Sequence, residues 1–116
     1  MSVHKNIRHT LIECAKQRGH TISYTEIGKL AELNMDNIAD RNRLAEILGD
    51  ISSSEHDAGR PLLSVLVVHG GDDSTQMPGK GFFNLARGAS EMKPEDDELA
   101  FFIQELNRVN DYWSKR

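Results

Sequence analysis

Arg41, Asn42 and Arg43 stand together in one helical stretch, Asn37 stands four residues before Arg41, and Lys80 stands in a glycine-rich turn. A guanidinium can pair with the edge of guanine, and a carboxamide with adenine. Lysine and arginine also neutralise phosphate. These residue types suit the holding and reading of duplex nucleic acid, and we name Asn37, Arg41, Asn42, Arg43 and Lys80 as the candidate contacts. Asp40 and Glu46 lie among them. The same stretch therefore also reads as a solvated helix face whose charges balance, and the two readings carry even weight at this stage.

Other residue groups that could do chemistry are weaker. Pro78-Gly79-Lys80-Gly81 has a faint likeness to a phosphate loop. It lacks the GxxxxGK[ST] frame, and Phe82 stands where Ser or Thr would follow. Its glycines read as turn residues, with Phe82 and Phe83 filling the core. Asp72 and Asp73 are adjacent carboxylates without a supporting ligand pattern. His4, His9, His20, His56 and His69 repeat no metal-ligand spacing. Ser52-Ser53-Ser54 contains no GxSxG turn, and Cys14 reads as a small core residue. A non-enzymatic protein with no metal and no cofactor is the expectation.

These residues are positioned by a predicted order of helix, short strand, helix, helix, strand, loop, return and helix. Ile7, Leu11, Cys14 and Ala15 place an apolar stripe on a first helix, Val3 to Arg18, which Gly19 ends. His20 to Tyr24 alternates like a brief edge strand. Ser23 or Thr25 caps a second helix, Thr25 to Leu33, with Tyr24, Ile27, Leu30 and Ala31 facing inward. A third helix runs from Asp36 or Asn37 to Ser53 on Leu44, Ile47, Leu48 and Ile51.

The run Leu62 to His69 is the best strand of the chain and is apolar on both faces, so cover on more than one side is expected. Gly70 to Thr75 forms a loop tip, and Gln76 and Met77 begin a return. Phe82 to Ala86 follows as a short helix or strand, with helix the favoured reading. A last helix runs from Pro94 to Ser114 on Leu99, Phe102, Ile103, Leu106, Val109 and Trp113.

The chain has 116 residues, 38% hydrophobic and 28% charged, which fits one soluble domain with a modest core. Its net charge of −4 is unequally spread. Residues 1–90 hold 10 Lys/Arg and 11 Asp/Glu, and residues 91–116 hold 4 and 7. The body can thus present a basic face, while Glu95-Asp96-Asp97-Glu98 gathers negative charge. No apolar run approaches the ~18 residues of a membrane span, so no membrane partner is expected. One cysteine and no apolar leader point to a cytoplasmic setting. Phe101, Tyr112 and Trp113 widen the apolar face of the last helix. They are candidate partner-binding residues for another protein or for a homodimer, with packing onto the first helix as the equal alternative.

Two stretches carry resemblances. Thr21 to Leu30, TISYTEIGKL, resembles the "isYgeiAkll" approach to the second helix of alkyltransferase-like and related winged-helix DNA binders. Those proteins place Pro-Cys-His-Arg or Pro-Trp-His-Arg before a Val-Val strand. This chain has Pro61-Leu62-Leu63-Ser64 there and keeps its cysteine in the first helix, which excludes alkyl transfer. Pro61 to Ala86, with PLLSxLVV and PGKGFFxLA, is similar to a pattern in small bacterial and phage-borne proteins of unassigned function. The resemblance implies an α+β fold, a winged helix-turn-helix over residues 1–90, with an additional C-terminal helix over residues 91–116. A binding module is the expected role, and a protein–protein adaptor or inhibitor using the acidic surface is the alternative.

Overall fold

A computed structural model of the chain describes residues 3–69 and 77–116. The order is α1 (Val3–Ala15), β1 (Ile22–Ser23), α2 (Tyr24–Leu30), α3 (Ile38–Asp57), a single 3-10 turn (Leu63–Leu66), β2 (Val67–Val68), α4 (Lys80–Gly88) and α5 (Glu98–Ser114). The fold is mixed: among the described residues there are five α-helices and a two-stranded parallel sheet in which Ile22 pairs with Val67 and Ser23 with Val68.

Local chemistry sets the helix ends. The Ser23 hydroxyl accepts from the Glu26 N–H and starts α2. The Asn37 side-chain amide oxygen accepts from the Asp40 N–H and starts α3, and the Asp97 carboxylate does the same for α5 through the Ala100 N–H. Each satisfies an N–H that the first helical turn leaves unpaired. Gly19, with φ 82°, turns the chain out of α1 in a backbone region that favours glycine.

The strand expected from Leu62 to His69 is corrected. Only Val67 and Val68 are extended in a sheet, and Leu63–Leu66 form a 3-10 turn. Every residue from Pro61 to Val68 is buried, so the apolar run reports burial and not the backbone form. At its start, ahead of β2, N–H groups are met without a neighbouring strand. Leu62 N–H donates to a Glu105 carboxylate oxygen at 2.9 Å, Ser64 N–H to the Ser52 hydroxyl at 3.0 Å, and Val65 N–H to the Leu62 carbonyl at 3.2 Å. The partner of β2 is the brief strand β1. The expected loop tip Gly70 to Thr75 and the start of the return at Gln76 lie outside the described residues. The His69 N–H donates to the Met77 carbonyl at 3.0 Å, which joins the two flanks of that segment.

The 3-10 turn is the centre of the core. α1, α3 and α5 all pack on it, and Leu63, Val65 and Leu66 are fully covered. Two buried carboxylates pin the chain as it enters that turn. Glu55 accepts from Arg8 Nε at 2.7 Å and from Arg60 Nε. Glu105 accepts from Arg108 at 2.6 Å on one oxygen and from Leu62 N–H on the other. Burial raises the Glu105 pKa, and the Leu62 N–H and the Arg108 charge oppose that rise.

α5 packs on α1. The Asn110 side chain donates to the Ala15 carbonyl at 3.0 Å and accepts from the Gly19 N–H at 3.3 Å. Phe101 and Trp113 are 7% and 8% exposed and belong to the same core. Phe101 stacks toward Phe82 at 6.0 Å between ring centres, and Trp113 lies under the Arg8 guanidinium. Both face the chain's own interior, so the partner-facing role expected for them is corrected to a packing role. Tyr112 is half-buried beneath Arg116. Among the described residues no helix is long and apolar enough to cross a membrane.

Candidate functional site

A cleft of about 500 Å³ lies between one face of α3 and the start of α4. The α3 wall is built at helical spacing: Arg41, then Leu44 and Ala45, then Leu48 and Gly49. The opposite wall is Gly79, Lys80, Gly81, Phe82 and Leu85 of the α4 first turns. Tyr24 and Thr25 close one end, and Met35, Ser64 and His69 complete the lining. The floor is apolar, the rim carries Arg41 and Lys80, and none of these lining residues is a carboxylate.

Tyr24 fixes the α4 wall. Its hydroxyl accepts from the Gly79 N–H at 3.0 Å, and its ring lies 4.6 Å from the His69 ring. A Cβ at Gly79 would stand 3.1 Å from His69 Nε2 and 3.3 Å from the Tyr24 hydroxyl oxygen. Glycine at 79 thus permits the close approach of three segments. Burial raises the Tyr24 pKa, with the Gly79 N–H opposing, so the phenol stays protonated at neutral pH. Beneath the cleft the Ser52 and Ser64 hydroxyls bond at 2.6 Å.

The charges at the rim are unbalanced. Arg8, Arg18, Arg43, Arg60, Arg87 and Arg108 all meet carboxylates, and Arg116 covers Tyr112. Arg41 is the one arginine with neither an ion pair nor a ring contact among the described residues. Lys80 likewise has no carboxylate partner among them. It occupies the first position of α4, which has no acidic residue in its first turn and no side-chain cap. A cation there opposes the positive end of the helix dipole, and an anion would relieve that opposition.

Of the five candidates named from the sequence, the structure brings Arg41 and Lys80 to one cleft and leaves three elsewhere. The Asn37 amide oxygen is engaged as the α3 cap. Arg43 reaches Glu46 at 3.5 Å on the exposed side of the helix, and Asn42 is exposed away from the cleft. Sequence reasoning missed Tyr24 as a wall residue, His69, and Gly49. The 3.6-residue spacing that joins Arg41 to Ala45, Leu48 and Gly49 was the available signal for the last. Nothing local in sequence brings His69 to Tyr24. Among the described residues no group of three His, Cys, Asp or Glu gathers as a metal site.

Compared with known proteins, the chain matches no family model, no curated protein and no solved structure.

Proposed function

We propose that the chain is a small, non-enzymatic winged-helix binding module that holds duplex nucleic acid by its phosphates. The observation that carries this reading is that Arg41 and Lys80, distant in sequence, lie on the rim of one cleft and, among the described residues, have no ion-pair partner and share a lining without a carboxylate. The order α1, α2, α3 followed by the short strand β2 supports the winged-helix assignment. In that arrangement the third helix meets the duplex groove. The start of α4 adds backbone N–H groups and a dipole that favour phosphate.

Fluorescence anisotropy with a labelled 20-base-pair duplex tests this. Binding in the micromolar range or tighter is expected at low salt, weakening steeply as salt rises. Arg41→Gln with Lys80→Gln should lower the salt-dependence slope by about 2, since each lost phosphate contact removes ~0.9. A double variant with the affinity and slope of the parent would defeat the proposal.

A second reading is favoured by the outer face of α5. Leu99 and Ile103, four residues apart, are 48% and 51% exposed beside Glu95, Asp96 and Asp97. An apolar pair edged by acidic residues suits a basic protein surface. Under this reading Leu99→Ser with Ile103→Ser releases a bound protein and leaves the duplex titration unchanged.

A further inference from the structure

Two glycines that their helices do not need hold open the cleft between α3 and α4. Gly49 lies inside α3 and Gly81 in the first turn of α4, and neither has a positive φ. A Cβ built on either meets nothing within 4 Å, so no close approach requires glycine there. Glycine is the poorest helix former after proline. Gly88, the other helical glycine with open space, is the last residue of α4, where helix propensity counts least. Both Gly49 and Gly81 line the same cleft. A side chain at either position would narrow it.

The space they leave has a definite chemistry. Its floor is Leu44, Leu48 and Phe82, and its rim is Arg41 and Lys80. An apolar floor gives nothing to a bare phosphate or a sugar. Two cations that have no ion-pair partner and no lining carboxylate among the described residues select an anion, and the arginine fork matches a carboxylate with two parallel N–H donors. At about 500 Å³ the cleft falls in the range of small-molecule sites, ~300–1,000 Å³.

We propose that the cleft takes a small aromatic carboxylate, with its flat body on the apolar floor and its head group at Arg41 and Lys80. The regulatory consequence rests on the reading of these two cations as duplex contacts. A ligand that neutralises them and a duplex that needs them exclude each other, and by linkage each lowers the affinity of the other by the same factor.

The test uses 2-naphthoate and the full chain. Calorimetry should find one saturable site. Arg41→Gln should weaken it roughly tenfold, the loss of a charge-assisted pair. Gly49→Phe should abolish it by filling the cleft. Ala45→Trp, at an exposed lining position, serves as the second filling variant if Gly49→Phe does not unfold cooperatively. Saturating 2-naphthoate should raise the Kd for the labelled duplex about tenfold or more, as expected when one ligand removes two phosphate contacts. Absence of saturable binding, or binding undiminished by both filling variants, overturns the ligand site. An unmoved duplex Kd at saturation overturns the exclusion. A chain that binds duplex and ignores 2-naphthoate leaves the duplex reading standing without this site. A chain that binds 2-naphthoate and ignores duplex keeps the ligand site and loses both the duplex reading and the exclusion.

Discussion

Glu55 is fully buried, while the arginine side chains that reach it, Arg8 and Arg60, are 39% and 29% exposed. Removing the two sides of this arrangement should therefore have unequal effects. Glu55→Gln keeps the volume and one acceptor oxygen, but it removes the opposite charge and turns an NH2 toward the second arginine, and the partly exposed guanidinium groups rehydrate. One charge-assisted bond lost, partly offset by that rehydration, puts the loss at about 1–2 kcal/mol. Arg8→Met with Arg60→Met keeps most of the apolar cover and leaves a carboxylate buried without a counter-charge, a loss of about 3–5 kcal/mol. A further ~0.5–1 kcal/mol goes with the Arg8 contact to Trp113. Urea unfolding followed by circular dichroism reads both. With a slope of ~1–3 kcal/mol/M, Glu55→Gln should lower the midpoint by about 1 M and the double methionine variant by about 2 M or more. Since a domain of this size holds only ~5–15 kcal/mol in all, the double variant should lie close to unfolding at room temperature. Equal losses, or a larger loss for Glu55→Gln, would refute the reasoning from unequal burial.

Ser90 has φ 61° just past the end of α4, where the Glu91 N–H closes back on the Ala86 carbonyl at 2.9 Å. Ser90→Gly should stabilise the chain by about 1 kcal/mol, read by thermal melting, because glycine enters that region without strain; no change would show that the serine is unstrained. Glu105 supplies a pH test. Burial raises its pKa above the usual value of 4.5, so the folded state keeps the proton to higher pH than the unfolded chain. Folding stability contributed by this group falls as pH rises from about the usual carboxyl range to the raised value, and is flat above it. The stability difference between the parent and Glu105→Gln should shrink in the parent's disfavour across that window, and a pH-independent difference would contradict the assignment.

Helix placement was legible in the sequence because apolar residues at 3.6-residue spacing must find a common face. α1, α3 and α5 lie on the stripes through Leu11, Leu44 and Phe102. Glu55 falls on the same α3 face as Leu48 and Ile51, but a carboxylate there gives no sign of the two arginines that make its burial tolerable. The run from Leu62 to Val68 was legible as buried and illegible as to form. β-propensity of Val and Leu largely measures packing against neighbours. Here the neighbours are three helices and side-chain acceptors, and the backbone coils through all but two residues. Phe101 and Trp113 looked like surplus apolar surface, since the depth of the core that receives them depends on α1 and α4 together. The rim of the cleft was half legible. Arg41 and Lys80 each stood out by type, but only the packing of α3 on α4 joins them and turns Arg43 and Asn42 away.

The most direct test of the central claim is a map of backbone amide shifts in the labelled full chain as an unlabelled duplex is added at low salt. The account predicts perturbations concentrated from Arg41 to Gly49 of α3 and from Gly79 to Leu85 of α4, reversed by raising the salt. Perturbations gathered instead on the outer face of α5 around Leu99 and Ile103, or none at all at a duplex concentration in the high micromolar range, would contradict it.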